Sequence, residues 1–299
     1  MYPSYLNLSK KELETKTEKL FKKLENCEIC PRKCRVNRLK NEKGFCQLGN
    51  LPMVSSYHPH FGEESVLVGT HGSGTIFFTS CNLACVYCQN YDISQLRIGE
   101  IISFEELAEA MINLQNLGCH NINFVTPTPQ VPQIVKALSI AIKRGLKIPL
   151  VYNTNSYDSV EILKLLDGII DIYLPDAKYS NNEIALNYSQ VPNYFEIMKK
   201  AIKEMWQQVG NLIINDEGIA VKGLLVRHLV LPNNLAGSEK IFEFLAKEVS
   251  VNTFINIMDQ YYPCYKASHY PELKRKITQE EYKKTIELAK KFNLKKISQ

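Results

Sequence analysis

Short apolar runs alternate with longer amphipathic segments along the chain after residue 72. The short runs are rich in Val, Ile and Phe, which is typical of buried strands. They cover residues 75–80, 121–126, 147–152, 169–174, 221–231 and 254–258. The longer segments repeat apolar residues every three or four positions, which predicts helices. They cover residues 103–117, 131–143, 159–166, 194–209, 238–249 and 279–292.

Strands that each precede a helix predict an α/β fold with a parallel sheet. Because six such units are present, we predict a partial (β/α)6 barrel of the TIM type, open on one side, in place of a full eight-stranded barrel. The alternative is an open doubly wound sheet, but no glycine-rich phosphate loop follows the first strand. Residues 211–219 interrupt the alternation, and residues 215–218 look like the turn of a small hairpin.

The first 70 residues follow a different pattern. Residues 9–26 predict a polar amphipathic helix, with Leu13, Leu20 and Leu24 on its apolar side. Four of the chain's nine cysteines come next. We therefore predict a small N-terminal helix and metal-binding module over residues 1–70, and the barrel over residues 71–299.

Composition limits the class of protein. The 299 residues are 45% apolar and 22% charged, enough to bury the core of one large domain. Apolar runs fall short of the roughly 18 residues that a membrane helix needs, and the N-terminus does not resemble a signal peptide. We therefore expect a cytoplasmic protein without a membrane partner. The net charge of +5 is small and spread along the chain, so it supports a nucleic-acid partner only weakly.

Three cysteines directly after the first predicted strand are the strongest chemical signal. Cys81, Cys85 and Cys88 are spaced as C-x3-C-x2-C. A complete ferredoxin-type cluster takes four thiolates, so a close-set group of three can hold a 4Fe-4S cubane and leave one iron open. The loop also lies at the carboxyl end of a strand, where active sites of α/β barrels are built. Structural zinc is the alternative interpretation.

A second group of four cysteines precedes it, at Cys27, Cys30, Cys34 and Cys46. Four thiolates fill a tetrahedral site, so this group predicts a closed structural centre. All-cysteine ligation suits zinc and a second iron–sulfur cluster equally well. Two weaker interpretations are unligated cysteines and an RNA-binding knuckle. Basic residues crowd the group and would offset its negative charge: Arg32, Lys33, Arg35, Arg38, Lys40 and Lys43.

Polar residues recur where the predicted strands end, and parallel strands would bring them together at one face. They are Thr126, Thr128, Asn153, Asn155, Asp176, Lys178, Arg227, His228, Asp259 and Gln260. Each alone is more often a cap or a turn, and Asp176 with Lys178 could form only a weak turn salt bridge. Since Arg227 and His228 alternate along a strand, one of them points into the barrel, and we expect Arg227 to do so.

The chain resembles the radical S-adenosylmethionine (SAM) proteins related to pyruvate formate-lyase activating enzyme, in a branch with an added four-cysteine N-terminal module. The cysteine motif carries the likeness most strongly, together with Tyr87 and the following Gln89 and Asn90. Weaker matching stretches span most of the chain. They are residues 27–46, 60–63, 72–90, 121–129, 151–155, 171–178 and 226–233.

The resemblance implies an oxidoreductase in which a reduced 4Fe-4S cluster gives one electron to SAM and yields methionine and a 5′-deoxyadenosyl radical. Activases of this kind abstract hydrogen from a backbone glycine of a partner protein. A flavodoxin or ferredoxin-like reductant is the implied electron source.

SAM would chelate the open iron through its amino and carboxylate groups, so it needs donors for the carboxylate and acceptors for the amine and ribose. We expect Lys178 and Arg227 to be the donors and Asp176 to be an acceptor. Further residues complete the expected cofactor-binding set: Tyr87, Thr126, Thr128, Asn153 and Asn155.

Three departures from the activases leave the substrate open. Residues 126–128 replace a Gly-Gly-Glu motif that binds the SAM amine, Asn153 replaces an acidic residue, and Gln260 stands where activases carry a histidine. One alternative is therefore a radical SAM enzyme acting on a peptide side chain, an RNA or a metabolite. A second alternative is a non-catalytic iron–sulfur or zinc protein for electron transfer or assembly.

Two isolated cysteines, Cys119 and Cys264, are interpreted as core or loop thiols. The aromatic segment that includes Tyr261, Tyr265 and Tyr270 is expected to cover the barrel.

Overall fold

The computed structural model describes residues 3–294 and the backbone of residues 296–298. Its centre is one mixed sheet. The strands are β1 Met53–His60, β2 Ser73–Phe78, β3 Glu100–Ile101, β4 Ile122–Val125, β5 Leu150–Thr154, β6 Ile172–Pro175, β7 Ile213–Ile214, β8 Ala220–Leu229, β9 Phe254–Met258 and β10 Lys296–Ser298. Their order in the sheet is β10-β9-β8-β6-β5-β4-β2-β1-β3, and β7 pairs with β8 outside this path.

The six predicted strands correspond to β2, β4, β5, β6, β8 and β9, and all pair in parallel. The sheet does not close on itself, because β3 and β10 lie at its two ends. The predicted open α/β barrel is therefore confirmed. The predicted hairpin is present too, since β7 pairs antiparallel with β8 across the turn at residues 215–218.

Ten α-helices accompany these strands in the described residues. They are α1 Lys10–Lys22, α2 Ser65–Val68, α3 Tyr91–Ser94, α4 Phe104–Asn116, α5 Val131–Lys143, α6 Val160–Leu166, α7 Asn182–Ser189, α8 Tyr194–Val209, α9 Ser238–Phe244 and α10 Gln279–Lys291. Helix α4 begins at a capping box, in which Ser103 and Glu106 satisfy each other's backbone N–H groups. Helix α7 was not predicted.

Strand β5 begins three residues later than predicted, at Leu150. Pro149 precedes it and has no backbone N–H to donate to a ladder. The carbonyl of Pro149 still accepts a hydrogen bond from Ile122. The proline therefore marks the start of this strand.

Residues 61–72, between β1 and β2, form a segment that we call the mouth plug. Because β1 runs antiparallel to β2, the plug lies at the amino-terminal end of the barrel strands. Leu67 of α2 is fully buried in one apolar cluster with Val151 and Ile172 of the barrel. Its carbonyl accepts a hydrogen bond from Asn121 Nδ2 at 2.8 Å. The plug fills this mouth and leaves the opposite end of the strands for the site.

The N-terminal module packs against the barrel on one side. Helix α1 starts at the Ser9 capping box and packs on α5 and α6. Strand β1 falls inside the 1–70 range assigned to the module, yet it is hydrogen-bonded to β2. The domain boundary at residue 70 stays a prediction.

Candidate active site

The cysteine loop, residues 81–88, directly follows β2 at the carboxyl end of the parallel strands. Cys85 is buried, and Cys81 and Cys88 are half-buried. The loop is anchored by backbone hydrogen bonds from Ala84 to the Ser189 carbonyl at 2.9 Å and from Val86 to the Tyr188 carbonyl at 2.8 Å. Helix α7 therefore fixes the position of the loop.

Each sulfur of the loop has a polar neighbour. Cys81 Sγ lies 3.3 Å from the Leu83 backbone nitrogen and 3.4 Å from Asn155 Nδ2. The Ser189 hydroxyl lies 3.0 Å from Cys85 Sγ. Donors aimed at sulfur stabilise thiolates, as they do around iron–sulfur clusters.

Cys88 Sγ lies 3.1 Å from the hydroxyl of Ser94 in α3. Burial raises the pKa of the Cys81 thiol to about 12 and of the Cys85 thiol to about 11, and the nearby Lys178 ammonium opposes both shifts. Burial thus outweighs the donors and the cation, and a thiol in such a setting gives up its proton when a bound metal takes the place of that proton. The loop therefore fits a 4Fe-4S cluster, with Cys81, Cys85 and Cys88 as ligands.

A line of charged side chains runs from this loop into the barrel. Lys178 Nζ donates to Asp176 Oδ2 at 2.8 Å, and Arg227 Nε donates to Asp176 Oδ1 at 2.8 Å. Burial alone would raise the pKa of Asp176, but the cations of Arg227 and Lys178 lower it. The Tyr194 hydroxyl donates to the Asp176 carbonyl at 2.9 Å and fixes the backbone there.

Arg227 is held on its other side as well. Its Nη1 donates to Glu63 Oε2 at 3.2 Å, and its Nη2 donates to Asn153 Oδ1 at 2.6 Å. Asn153 Nδ2 in turn donates to Glu63 Oε1 at 3.3 Å. His228 points the opposite way, where its ring bonds the Ala177 carbonyl at 2.7 Å. Arg227 is thus the inward residue of the pair, as the strand alternation predicts.

Two residues expected to contact SAM have their hydroxyls engaged within the protein. The Thr128 hydroxyl donates to Asp158 Oδ1 at 2.8 Å and is fully buried. The Tyr87 hydroxyl pairs with the hydroxyl of Tyr179. Thr126 sits directly after β4 with φ of 60°. The SAM contacts expected at these positions stay predictions.

Aromatic residues near the C-terminus lie against the cysteine loop, as expected of a cover. Tyr261 packs edge-on against Tyr87, and Tyr265 stacks on Tyr91 with ring centroids 4.9 Å apart. Cys264 Sγ lies 3.2 Å from the Tyr87 carbonyl. Cys119 is a buried core thiol. The cover shields the loop side of the site from solvent.

The four cysteines of the N-terminal module lie near one another. Burial raises the pKa of Cys30 to about 12, and Cys46, Cys27 and Cys34 add to the shift. Gly44 lies so close to Cys34 that a Cβ would come within 2.9 Å of its sulfur. Within residues 3–294, however, no three His, Cys, Asp or Glu side chains are arranged to hold a metal ion. A metal in the module therefore stays a prediction. For the cysteine loop, the fit to a 4Fe-4S cluster rests on the hydrogen-bonding neighbours of its three sulfurs.

Two of the basic residues around the module are structural. Arg38 is almost fully buried and donates to the Pro129 carbonyl at 2.8 Å. Arg32 stacks over Phe45 and donates from Nη2 to the Gln190 carbonyl at 2.7 Å. These two arginines hold the module against the barrel and are engaged with protein groups.

Several site residues were missed by sequence reasoning. Glu63 lies in a stretch that supports the family resemblance, but nothing in the local pattern places it beside Arg227. Ser94, Ser189 and Tyr194 sit on helices, where a lone hydroxyl reads as surface or cap. Their partners in the site are distant in the chain, so only the assembled fold reveals them.

A sequence model of the radical SAM superfamily matches residues 75–208. The uncharacterised protein MJ0674 of Methanocaldococcus jannaschii is 40% identical over 292 residues, which covers 94% of this chain and 79% of that protein. MJ0808 of the same organism is 25% identical over 280 residues, covering 85% and 75% respectively.

Solved structures share the fold. The structure of Streptococcus suis SuiB bound to precursor peptide SuiA gives a TM-score of 0.51 at 13% identity, covering 74% of this chain and 47% of that one. The structure of methylornithine synthase (PylB) gives a TM-score of 0.50 at 14% identity, and the match covers 98% of this chain and 72% of that one. This chain thus spans about half the length of SuiB.

The matched region holds the three-cysteine loop and the barrel strands β2, β4, β5 and β6. Its family implies a 4Fe-4S cluster and SAM, and the three thiols of the loop, one buried and two half-buried, fit that cluster. Among the described residues, no helix is both long and apolar enough to cross a membrane. With this loop and these strands in the matched region, residues 75–208 of the chain form a radical SAM superfamily domain.

Proposed function

We propose that this protein is a radical SAM enzyme that abstracts a hydrogen atom from a protein substrate in the cytoplasm. When bound, the cluster and SAM supply a one-electron cleavage that yields methionine and a 5′-deoxyadenosyl radical, with the electron coming from a flavodoxin or ferredoxin-like reductant. The observation that carries the proposal is the cysteine loop, whose three sulfurs each have a hydrogen-bonding neighbour.

The chain's own residues would have separate tasks in this reaction. Cys81, Cys85 and Cys88 would hold the cluster. Lys178 has ammonium protons left after its bond to Asp176 and would meet the SAM carboxylate. Asp176 is kept ionised by its two cations, so it can accept from an amine or a ribose hydroxyl.

A backbone glycine of a partner protein is the substrate that we favour, as in the activases that the sequence resembles. The fold neighbours support two alternatives within the same chemistry. SuiB was solved with a precursor peptide, which suits a peptide side chain, and PylB is a synthase of methylornithine, which suits a small metabolite. An RNA substrate has weaker support, because Arg32 and Arg38 are engaged within the protein.

The first test is anaerobic. The protein is reconstituted with iron and sulfide and mixed with SAM and a strong reductant, and 5′-deoxyadenosine is quantified. We expect production by the intact protein and background levels from Cys85→Ala, which lacks one cluster ligand. Cys119→Ala is the matched control, since Cys119 is a core thiol, and it should keep the activity.

The outcomes separate the alternatives. Cluster-loaded protein that binds SAM but yields no 5′-deoxyadenosine points to cleavage that waits for the proper substrate. Protein that carries a cluster and binds no SAM contradicts the enzyme proposal and favours the electron-transfer or assembly alternative.

We also propose that the N-terminal module binds a metal through Cys27, Cys30, Cys34 and Cys46. Four thiolates suit zinc and an iron–sulfur cluster alike. Elemental analysis of purified Cys85→Ala protein, whose loop site is disabled, distinguishes zinc from iron. Loss of that metal in a Cys30→Ala, Cys85→Ala double variant would assign it to the module, and a metal content unchanged by Cys30→Ala would refute this assignment.

A further inference from the structure

Two acidic side chains of the mouth plug, Glu63 and Glu64, point into the barrel from the end opposite the cysteine loop. Glu63 and Glu64 come just before α2, whose Leu67 is buried among the barrel strands. Their side chains are only 8% and 5% exposed. Burial of two neighbouring carboxylates is costly unless cations or donors compensate it. The plug therefore needs a partner inside the barrel.

Arg227 is that partner. It bonds Glu63 at 3.2 Å, while its Nε lies 4.0 Å from Glu64 Oε1. Glu64 also accepts from Asn256 Nδ2 at 2.9 Å. Glu63 makes a second bond with Asn153, which itself accepts from Arg227. Glu63, Asn153 and the guanidinium thus form a closed triangle of hydrogen bonds.

This triangle continues the line of charges from the cysteine loop. The Lys178 charge acts on the Cys85 thiol, Lys178 and Arg227 both bond Asp176, and Arg227 bonds Glu63. The links from Lys178 through Asp176 and Arg227 to Glu63 are charge-assisted contacts between largely buried groups, where such contacts are strongest. A change at Glu63 therefore reaches the site through Arg227 and Asp176.

We infer that Glu63 is a positioning residue of the active site: from the mouth plug it holds Arg227, and through Arg227 it fixes the Asp176–Lys178 pair beside the cysteine loop. The inference rests on the proposed function, since it assumes that this pair contacts SAM. Within residues 3–294, Glu63 bonds Asn153 and Arg227 and makes no hydrogen bond or ion pair with the cysteine loop.

The protonation of Glu63 should make SAM binding depend on pH. Burial raises the pKa of Glu63 to about 7; Arg227 opposes this shift, whereas Glu64 and Asp176 add to it. These three charged groups face Glu63 from different elements: Arg227 lies in β8, Glu64 lies in the mouth plug, and Asp176 directly follows β6. Above pH 7 Glu63 is ionised and binds Arg227 through a full charge pair, whereas below it the pair is weakened. SAM binding should therefore be tighter above this pH than below it.

The experiment measures the SAM dissociation constant of cluster-loaded protein by calorimetry on both sides of pH 7. We expect about a tenfold weakening for the wild type as Glu63 becomes protonated, equivalent to about 1.4 kcal/mol. Glu63→Gln should show the weaker value throughout, because glutamine keeps the shape but lacks the charge. Glu63→Asp keeps the charge and should retain the pH dependence.

Controls separate positioning from general damage. Glu109→Gln removes a surface carboxylate that bonds Arg144 at 2.8 Å, and it should leave the pH profile unchanged. In an Arg227→Gln background, Glu63→Gln should have no further effect on SAM binding, because Glu63 acts through Arg227.

Two results would overturn the inference. One is a Glu63→Gln variant with wild-type affinity and pH profile, and the other is an undiminished effect in the Arg227→Gln background. In both cases the wild type still binds SAM, so the proposed function survives. A cluster-loaded wild type that binds no SAM at any pH contradicts the proposed function itself.

Discussion

At the scale of single residues, hydroxyl groups form the hydrogen bonds of a buried carboxylate inside the barrel. Asp158 is buried and accepts hydrogen bonds from Thr128 at 2.8 Å, Tyr152 at 2.9 Å and Thr154 at 2.6 Å. Burial raises the pKa of this carboxyl, and the three hydroxyls oppose the shift. The Thr128 hydroxyl, expected to contact SAM, thus already has a structural partner.

We predict that Tyr152→Phe lowers the free energy of unfolding by about 2 kcal/mol, because a buried carboxyl loses one of its donors. The measurement is urea unfolding followed by circular dichroism. Tyr282→Phe is the control: the hydroxyl of the half-buried Tyr282 donates to the neutral Ile257 carbonyl at 3.0 Å, so the loss should be about 1 kcal/mol or less. An equal loss in the two variants would contradict the role given to Asp158.

At the scale of elements, the mouth plug closes one end of the barrel. Its short helix α2 has only four residues and is too short to be stable alone. Packing of Leu67 and the hydrogen bond from Asn121 hold it in place. The plug is therefore stabilised by tertiary contacts, and its loss would displace Glu63 as well.

We predict that Leu67→Ala destabilises the protein by about 3 kcal/mol, because a fully buried leucine leaves a cavity. Chemical unfolding gives the magnitude. Leu117→Ala is the matched control, since this leucine is 62% exposed, and its cost should stay within about 0.5 kcal/mol. Similar values for both leucines would mean that the plug is not packed as described.

At the scale of the whole molecule, the N-terminal module is fastened to the barrel by buried arginine contacts. Arg38 donates from Nε at 3.1 Å and from Nη2 at 3.0 Å to the Gly49 carbonyl, and from Nη1 to the Pro129 carbonyl on the barrel. A planar guanidinium can serve both carbonyls at once, whereas a lysine ammonium is a compact point donor.

We predict that Arg38→Ala costs about 3 kcal/mol of stability and that Arg38→Lys does not restore it, because the buried Pro129 carbonyl loses its Arg38 donor and the Gly49 carbonyl keeps only its 3.3 Å hydrogen bond from Gln133. Limited proteolysis should also cut the module faster in both variants. Lys40→Ala, an exposed change in the same turn, should behave as the wild type. Rescue by lysine would show that the charge alone matters.

The sequence by itself determined the order of the six parallel strands and of the helices that pair with them, and the place of the cysteine loop, whereas β1, β3 and α7 were not predicted. The apolar periods of β9, α5 and α8 gave the observed bounds, because buried strands and amphipathic helices leave local signatures. The C-x3-C-x2-C spacing was equally local. This spacing, directly after an apolar run, predicts the thiols at the carboxyl end of the first parallel strand without any knowledge of tertiary contacts.

Only the tertiary structure decided which side chains meet. Glu63 bonds Arg227 across 164 positions of the chain, and Ser189 reaches Cys85 across 104. Contacts at such separation depend on strand register and on how the plug folds back, and a local pattern carries neither. Local periodicity therefore specified the barrel and the strand-end residues Asp176, Lys178 and Arg227, whereas the contacts of Arg227 with Glu63 and of Cys85 with Ser189 depended on the assembled fold.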